Sequence, residues 1–347
     1  CGDLTVKENA MKVSEFVSDL PKVELHVHIE GTLEPELKFR LAQKNGIELP
    51  FDTPEEVRES YDFTDLTSFL QAYYDGMNVL RTPQDFYDLA WEYFKKAEQQ
   101  NVRYAEIFFD PQAHTSRGVS FDTVITGLRR AQIDAEQQLG VSSALIMCFL
   151  RDFSAGFAMA TLLEALPYRA WILGVGLDSD ENGHPPAKFA EVFARAQDEG
   201  FLLTMHCDPG IPDTLEHIRQ VVEDIGTLRI DHGTAVVQDP ALTQQLVENG
   251  IGLTSCPISN IWLTGESKSD ELEGLVAQGV KVTVNSDDPA YFGGYISENF
   301  QRVADDLQAD NDLLTKLALN AVDISWAPPH LKERLRQEIN EHAQTNA

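Results

Sequence analysis

Eight short apolar segments alternate with helical patterns along this chain of 347 residues, and this alternation constrains the fold more than any other feature. The predicted strands lie near 22–28, 102–110, 142–151, 171–178, 201–207, 228–232, 251–256 and 281–286. Each is apolar almost throughout, which is typical of strands buried on both faces of a parallel sheet. The clearest helical patterns between them lie at 85–99, 119–138, 187–199, 214–225 and 239–249. Pro83 and Pro186 lie where the first turn of a helix is predicted.

Eight βα units in one chain predict an α/β fold, a (β/α)₈ TIM barrel, and the length suits such a barrel with insertions. An open, doubly wound sheet is the alternative. The main insertion follows the first strand, where 34–100 must hold several helices. We predict an N-terminal extension over 1–20, one barrel domain over 21–335 and a C-terminal tail over 336–347.

The charge balance excludes several kinds of partner. The chain has 27 Lys and Arg against 56 Asp and Glu, a net charge of −29. Such a field repels phosphate backbones and anionic lipids, so neither nucleic acid nor a membrane is an expected partner. No apolar stretch approaches the roughly 18 to 20 residues that span a bilayer. A homo-oligomer stays open.

The cysteines favour a reducing compartment. The chain has four cysteines and no Cys-x-x-Cys pair. Cys148, Cys207 and Cys256 follow or interrupt apolar segments, where a free thiol behaves as a small apolar side chain. We therefore expect free thiols and a cytoplasmic protein.

Histidines and acids stand at the ends of four predicted strands: His26 and His28, His206, His232, and Asp287 with Asp288. The carboxyl ends of barrel strands converge on one face, where active sites are built. In His26-Val27-His28 both imidazoles lie on the same side of the strand, because side chains alternate with a period of two. Three imidazoles and one carboxylate suit a zinc ion. Taken singly, His232 fits a core histidine equally well, and Asp-Asp-Pro is common in turns.

The motifs around these residues occur in a fixed order along the chain. They are His26-Val27-His28-Ile29-Glu30-Gly31, His206, Ile230-Asp231-His232-Gly233, Ser255-Cys256-Pro257-Ile258-Ser259-Asn260 and Ser286-Asp287-Asp288-Pro289. Over about residues 20–330 the chain resembles the adenosine/adenine deaminase family of the amidohydrolases. The resemblance implies one zinc ion per chain, held by His26, His28, His206 and Asp287. It also implies His232 as the catalytic histidine and Asp288 as a group that binds the purine ring.

The chemistry of these residue types agrees with that implication. Zinc makes water a nucleophile at neutral pH, and the attacked atom would be C6 of an adenine-type purine. His232 can accept the proton of the water, and Asp288 can bond N7. The expected products are the 6-oxo purine and ammonia.

One position departs from the family pattern. The family has a glutamate three residues after the third histidine ligand, within His-Ala-Gly-Glu, and it protonates the purine N1. Here Pro209 occupies that position. Three explanations stay open: Asp208 is the acid, Asp213 or Glu216 reaches in from the next helix, or the chain uses a water relay, takes another substrate or has lost ordinary deamination.

Two further positions concern the substrate. Glu30 follows the histidine pair at a position where, in the resembled family, the enzymes that act on nucleosides usually have Asp, within His-Leu-Asp-Gly. The longer side chain of Glu30 would take space that a ribose needs. The segment Gly176-Leu177-Asp178-Ser179 with Gly183 resembles the adenine deaminase branch, and Gly183 is expected to line the purine pocket. We therefore expect adenine, or adenine with a small N6 substituent, rather than adenosine.

Three other functions fit parts of the sequence less well. Two-metal amidohydrolases usually carry a bridging modified lysine after strand four, but residues 171–183 contain no lysine. The cytidine-type zinc deaminases use His-x-Glu with Pro-Cys-x-x-Cys, and this chain has neither motif. A purine-binding protein without deaminase activity would explain the missing glutamate, but His232 argues against it.

Overall fold

A computed structural model describes residues 11–347 and has eight parallel strands at its centre. The strands are β1 Lys22–His28, β2 Val102–Phe109, β3 Ser142–Leu150, β4 Gly174–Asp178, β5 Leu202–Cys207, β6 Arg229–His232, β7 Gly252–Ser255 and β8 Val282–Val284. They pair in chain order, and a parallel bridge between Val27 and Asp287 joins the segment after β8 to β1. The predicted TIM barrel is confirmed, and the open sheet is wrong. The extension predicted for 1–20 is described only from residue 11, and Cys1 lies outside the described residues.

Helices surround the barrel and fill the connections between strands. Those that precede β3 are α1 Glu15–Asp19, α2 Pro35–Asn45, α3 Pro54–Glu59, α4 Leu66–Gly76, α5 Pro83–Gln99, α6 Pro111–Thr115 and α7 Phe121–Leu139. Those between β3 and β8 are α8 Ala155–Ala165, α9 Ala190–Asp198, α10 Thr214–Arg219, α11 Pro240–Asn249, α12 Pro257–Thr264 and α13 Ser269–Ala277. Those after β8 are α14 Pro289–Phe292, α15 Ile296–Leu307, α16 Asn311–Ile324 and α17 Pro329–Thr345.

The proline signals mark two different kinds of helix start. Helix α5 begins at Pro83, and the Thr82 side chain accepts a hydrogen bond from the backbone N–H of Asp85 in a capping box. This arrangement satisfies donors that the first turn leaves free. Pro186 instead begins a 3₁₀ turn, Pro186–Phe189, and α9 starts only at Ala190. The helix predicted over 187–199 is therefore shorter than expected.

The insertion after β1 covers the mouth of the barrel. Helices α2 to α5 lie within it, as the sequence predicted. Aromatic side chains of α4 and of the neighbouring segments form a separate cluster, which includes Phe63, Phe69, Tyr73, Tyr291 and Phe292. These side chains are separate from the main core that surrounds the strands. The insertion thereby gives the site a wall of its own.

The opposite end of the barrel, its floor, contains a buried ion pair. Nη1 of Arg229 lies 2.8 Å from Oε1 of Glu106, and both side chains are fully buried. Oε2 of Glu106 accepts hydrogen bonds from the backbone N–H of Trp326 at 2.7 Å and from the Tyr104 hydroxyl at 2.8 Å. The Arg229 guanidinium lies 4.1 Å from the centroid of the Trp326 ring, in a cation–π contact. The floor thus pairs one positive with one negative charge.

Cys148, Cys207 and Cys256 are buried free thiols, as predicted. Over residues 11–347 no helix combines the length and the apolar content that crossing a membrane requires.

Candidate active site

Four buried side chains converge at the carboxyl ends of the strands. His26 and His28 come from β1, His206 comes from β5, and Asp287 follows β8. Val27, between the two histidines, is fully buried in the main core, so the alternation along β1 turns both imidazoles to the interior. The structure therefore brings together the four residues that were predicted as metal ligands.

The donor atoms of these four residues lie within 4.8 Å of one another. Oδ1 of Asp287 is 3.1 Å from Nε2 of His26 and 3.2 Å from Nε2 of His28. Nε2 of His28 is 3.2 Å from Nε2 of His206. In a tetrahedral zinc site with bonds of 2.0–2.1 Å, neighbouring donors are about 3.3 Å apart. The donor spacing thus matches the edge of a zinc tetrahedron.

The other ring nitrogens determine which atoms are free to bind a metal. Nδ1 of His26 lies 2.9 Å from Oγ1 of Thr254, Nδ1 of His28 lies 3.3 Å from Oδ2 of Asp178, and Nδ1 of His206 lies 3.4 Å from Oδ2 of Asp231.

A proton on each Nδ1 leaves a lone pair on each Nε2. Lone pairs of His28 and His206 that face each other across 3.2 Å repel unless a cation lies between them. The donor set therefore fits a metal cation.

The charge of the cavity supports the same conclusion. Four aspartates line it: Asp178, Asp208, Asp287 and Asp288. Among the described residues, no lysine or arginine lines this cavity. Burial lowers the pKa of His26 to about 4, which keeps that ring neutral and able to bind a metal. Burial also lowers the pKa of His28, but Asp288, Asp178 and Asp287 outweigh it and raise that pKa. This corner of the site attracts an additional positive charge.

The two residues predicted as catalytic contact each other. Nε2 of His232 lies 2.9 Å from Oδ1 of Asp208 and 3.6 Å from Oδ2 of Asp287. Burial opposes the charged form of His232, but the Asp208 carboxylate prevails and raises the pKa of His232 to about 9. His232 and Asp208 therefore form a pair that can hold one proton beside the predicted metal ligands.

The backbone is strained at two of these residues. His232 has a φ of 62° and Asp287 a φ of 63°, in the left-handed region that residues other than glycine seldom adopt. Strain of this kind costs about 1–3 kcal/mol per residue and concentrates at functional sites.

The structure separates the acids that the sequence left open as proton donors. Asp208 lines the cavity, whereas Asp213 and Glu216 are exposed, and Glu216 pairs with Arg219 at 2.7 Å. The backbone N–H of Asp208 donates to Oε1 of Glu181 at 2.8 Å.

Glu181 is itself held in place. Its Oε2 lies 2.6 Å from Nδ1 of His217, and Nη1 of Arg151 lies 3.5 Å from its Oε1. All three side chains are buried. Buried charges thus hold the segment after β5, in which Pro209 replaces the family's glutamate.

Asp288 presents a buried oxygen without a partner. Its Oδ1 has no hydrogen-bond partner among the described residues, and Asp288 lines the cavity. Burial, followed by the charge of Asp287, raises the pKa of Asp288 well above its usual range. A neutral Asp288 carboxyl can donate a hydrogen bond. Gly31 permits this position, because a Cβ there would lie 2.1 Å from Oδ1 of Asp288.

Of the other two predicted substrate-binding residues, Glu30 is fully buried outside the cavity lining and Gly183 is exposed. Oε1 of Glu30 accepts from the backbone N–H of Asp110 at 2.8 Å and lies 3.0 Å from Nε2 of His114. Gly183 has a φ of 73° in the loop after β4, with open space where a Cβ would lie. Neither residue lines the cavity, and their roles stay predictions.

Sequence reasoning missed two groups of site residues. Helix α4 contributes Leu66, Phe69, Leu70, Tyr73 and Tyr74 to the cavity wall. The sequence indicated this helix only through the long insertion after β1, and the length of an insertion does not show in which direction a helix packs. The partners of the histidine rings, Asp178, Asp231 and Thr254, were also given no role. Asp178 and Asp231 lie within the motifs named above, and Asp231 directly precedes His232.

Three comparisons with known proteins agree with this geometry. The profile of the family described as Adenosine deaminase matches residues 21–342. An adenine deaminase of Acinetobacter baylyi is 50% identical over 333 residues, which are 95% of this chain and 100% of that protein. An adenine deaminase of Rhodospirillum rubrum is 50% identical over 327 residues, 93% of this chain and 97% of that protein.

Two solved structures are also similar. The crystal structure of adenine deaminase from Arthrobacter aurescens has a TM-score of 0.90 and 43% identity, covering 94% of this chain and 100% of that one. An amidohydrolase from Burkholderia ambifaria, solved with bound zinc, has a TM-score of 0.87 and 25% identity, covering 97% of this chain and 96% of that one. These similarities confirm the resemblance that the motifs indicated.

Proposed function

The chain belongs to the adenosine deaminase family, and from this premise we propose that it hydrolyses adenine to the 6-oxo purine and ammonia. The observation that carries the proposal is that a four-residue set able to hold a metal, the His232–Asp208 pair and the unpartnered Oδ1 of Asp288 meet at one cavity. The relatives named adenine deaminase support the choice of substrate.

The metal in this proposal is a single zinc ion, held by His26, His28, His206 and Asp287. Three imidazole nitrogens and one carboxylate oxygen suit zinc, and their donor atoms lie close enough together that all four could hold one ion. When bound, zinc supplies Lewis-acid activation of the attacking water at neutral pH.

His232 and Asp208 move the protons. At neutral pH the His232–Asp208 pair already holds its proton, because the pKa of His232 is raised to about 9. As water adds at C6 of the purine, Asp208 passes this proton to N1, so that negative charge does not accumulate on the ring, and His232, within reach of Asp287, takes up the proton that the water loses. The pair then gives its proton to the 6-amino group and takes the proton of the new C6 hydroxyl. The C6–N6 bond breaks with its electron pair on nitrogen, ammonia leaves, and C6 keeps the oxygen as a carbonyl.

Asp288 orients the ring. A neutral carboxyl with an unpartnered Oδ1 can donate a hydrogen bond to N7, an acceptor in the purine. Glu30 acts from outside the cavity lining in this scheme, since it fixes the backbone of Asp110 and the ring of His114. We keep Gly183 as a candidate for contact with the purine once substrate is bound.

The remaining parts of the proposal concern the surroundings of the enzyme. The expected partner is a small purine, and the net charge of −29 disfavours nucleic acid and anionic membranes. The buried free thiols suit a reducing compartment such as the cytoplasm. Whether the chain forms a homo-oligomer is left to measurement.

The test is amine release, which is ammonia from adenine and adenosine and methylamine from N6-methyladenine, together with loss of substrate absorbance by zinc-loaded protein. We expect adenine or the N6-methyl base to give the highest kcat/KM. The zinc-free protein and His206→Ala serve as controls without the complete metal site. A higher kcat/KM for adenosine would overturn the preference for the base. Purine binding without release of ammonia or methylamine from any substrate would instead favour a binding protein.

A further inference from the structure

We propose that Asp231 is a positioning residue for the metal centre, with a carboxylate that orients His206 directly and His26 through the hydroxyl of Thr254. Asp231 lies in β6, directly before His232, and is fully buried. It has no place in the reaction described above. Oδ2 of its carboxylate nevertheless faces the ring of His206, and Oδ1 accepts from Thr254, which contacts the ring of His26.

The link to His206 is direct. Oδ2 of Asp231 lies 3.4 Å from Nδ1 of His206, on the side of the ring opposite to Nε2. A carboxylate in this place favours the tautomer with the proton on Nδ1, which leaves Nε2 free to bind the metal.

The link to His26 runs through one hydroxyl group. Oγ1 of Thr254 donates to Oδ1 of Asp231 at 3.0 Å, and Nδ1 of His26 lies 2.9 Å from the same Oγ1. A hydroxyl has only one hydrogen, so a hydroxyl that donates to Asp231 must accept from His26. Asp231 therefore sets the tautomer of His26 without touching it.

A second threonine provides a control within the same cluster. Oγ1 of Thr204 also contacts Oδ2 of Asp231, at 2.9 Å, and it is as fully buried as Thr254. Its other contact is the backbone carbonyl of Arg229 at 3.2 Å, which leads to no predicted metal ligand. The two threonines thus differ in whether the hydroxyl that contacts Asp231 also contacts a predicted metal ligand itself.

The experiment measures the dissociation constant of zinc by competition with a chelator, together with the visible spectrum of the cobalt-substituted protein. Asp231→Asn replaces one of the two carboxylate oxygens with an NH2 group and removes the charge, so the side chain can no longer present an acceptor to both His206 and Thr254; we expect about 10- to 100-fold weaker zinc binding and an altered cobalt spectrum. Thr254→Val should weaken binding less, because the Thr254 carbonyl lies 3.3 Å from Nδ1 of His26 and can replace the hydroxyl. Thr254→Ser, which keeps the hydroxyl, and Thr204→Val should bind zinc like the wild type.

A double variant tests the relay itself. If Asp231 acts on His26 through Thr254, Asp231→Asn should weaken zinc binding less in the Thr254→Val background than in the wild type. Strictly additive losses would remove the relay from the proposal.

Two results would overturn the proposal: an Asp231→Asn protein that binds zinc like the wild type, or equal losses in Thr254→Val and Thr204→Val. If Asp231→Asn does not fold, the comparison of the three threonine variants decides alone. The inference rests on the metal assignment of the proposed function. A wild-type protein that binds no zinc would end both, whereas tight binding that is unaffected by Asp231→Asn ends only this one.

Discussion

The two ends of the barrel handle buried charge in opposite ways. At the floor, Glu106 and Arg229 form a one-to-one pair, and the carboxylate is also satisfied by Trp326 and Tyr104. At the mouth, four aspartates line one cavity, and among the residues that the structure describes no lysine or arginine joins them there. The floor pairs its two charges with each other, while the mouth gathers acids and histidines in an arrangement that could hold a cation.

This difference separates stability from function. A buried ion pair offsets the cost of its own desolvation only through good geometry, and breaking it leaves one charge uncompensated. A cluster of acids and histidines can change its protonation or bind a ligand, so its free energy also depends on what it binds. The strained backbone at His232 and Asp287 also lies at the mouth. We therefore expect substitutions at the floor to change the free energy of unfolding and substitutions at the mouth to change binding and turnover.

Arg229→Met should produce the largest loss of stability. It leaves the fully buried Glu106 carboxylate without its positive partner, which costs about 3–5 kcal/mol. Chemical denaturation of the zinc-loaded protein measures the loss. The kcat of the folded enzyme should stay at the wild-type value.

The double variant Arg229→Met with Glu106→Gln is the matched control. It removes both charges but keeps an oxygen that can accept from Trp326, so it should recover part of the lost stability. A single variant as stable as the wild type, or a reduced kcat with normal stability, would break the division between the two ends.

Removal of the metal should have a comparable effect on stability through the mouth. A ligand at 1,000 times its dissociation constant stabilises the folded state by about 4 kcal/mol, and a chelator should abolish this stabilisation. Denaturation of the zinc-loaded and the chelator-treated protein measures the difference. Arg229→Met should show nearly the same difference, because distant sites without shared contacts add. Identical curves with and without chelator would mean that the aspartates at the mouth bind no stabilising cation.

Asp208→Asn should act on turnover alone. It removes the group that we propose returns a proton to N1, so kcat should fall on the order of 10²-fold or more. Steady-state kinetics with adenine measures the effect, and denaturation should show a free energy of unfolding near the wild-type value. Glu216→Gln is the control, because Glu216 is an exposed acid that pairs with Arg219 at the surface. Equal losses in both variants would contradict the assignment of Asp208.

The sequence predicted the mouth better than the floor. Strand ends occupied by His26, His28, His206 and Asp287 were visible because polar residues interrupt apolar segments, and the topology brings such ends together. Period and composition cannot show which acid faces which ring, so Asp231 stayed inside a motif without a role.

The floor pair was not predicted either. Glu106 and Arg229 lie 123 positions apart and belong to no motif, and their contact depends on the pairing order of the strands. The 3₁₀ turn at Pro186 was also missed, because proline at a first turn fits both kinds of helix. Side-chain directions and contacts between residues distant along the chain could therefore not be predicted, while the fold and the convergence of the four strand-end residues could.

The smallest effects should come from two glycines, one at each end, where an added methyl group meets a neighbour. At Gly174, on the floor, a Cβ would lie 2.6 Å from the carbonyl oxygen of Leu202 and 2.7 Å from the Trp326 ring. Overpacking of this kind costs about 1–3 kcal/mol, so Gly174→Ala should lower the free energy of unfolding and leave kcat/KM unchanged. At Gly31 the methyl group would meet Asp288, so Gly31→Ala should raise KM through a displaced carboxyl. Gly274→Ala controls for the added methyl group alone, since the nearest atom would lie 3.8 Å from its Cβ, an ordinary contact. If Gly31→Ala and Gly174→Ala instead changed stability and KM to the same extent, the two ends would not be the independent units that their charges suggest.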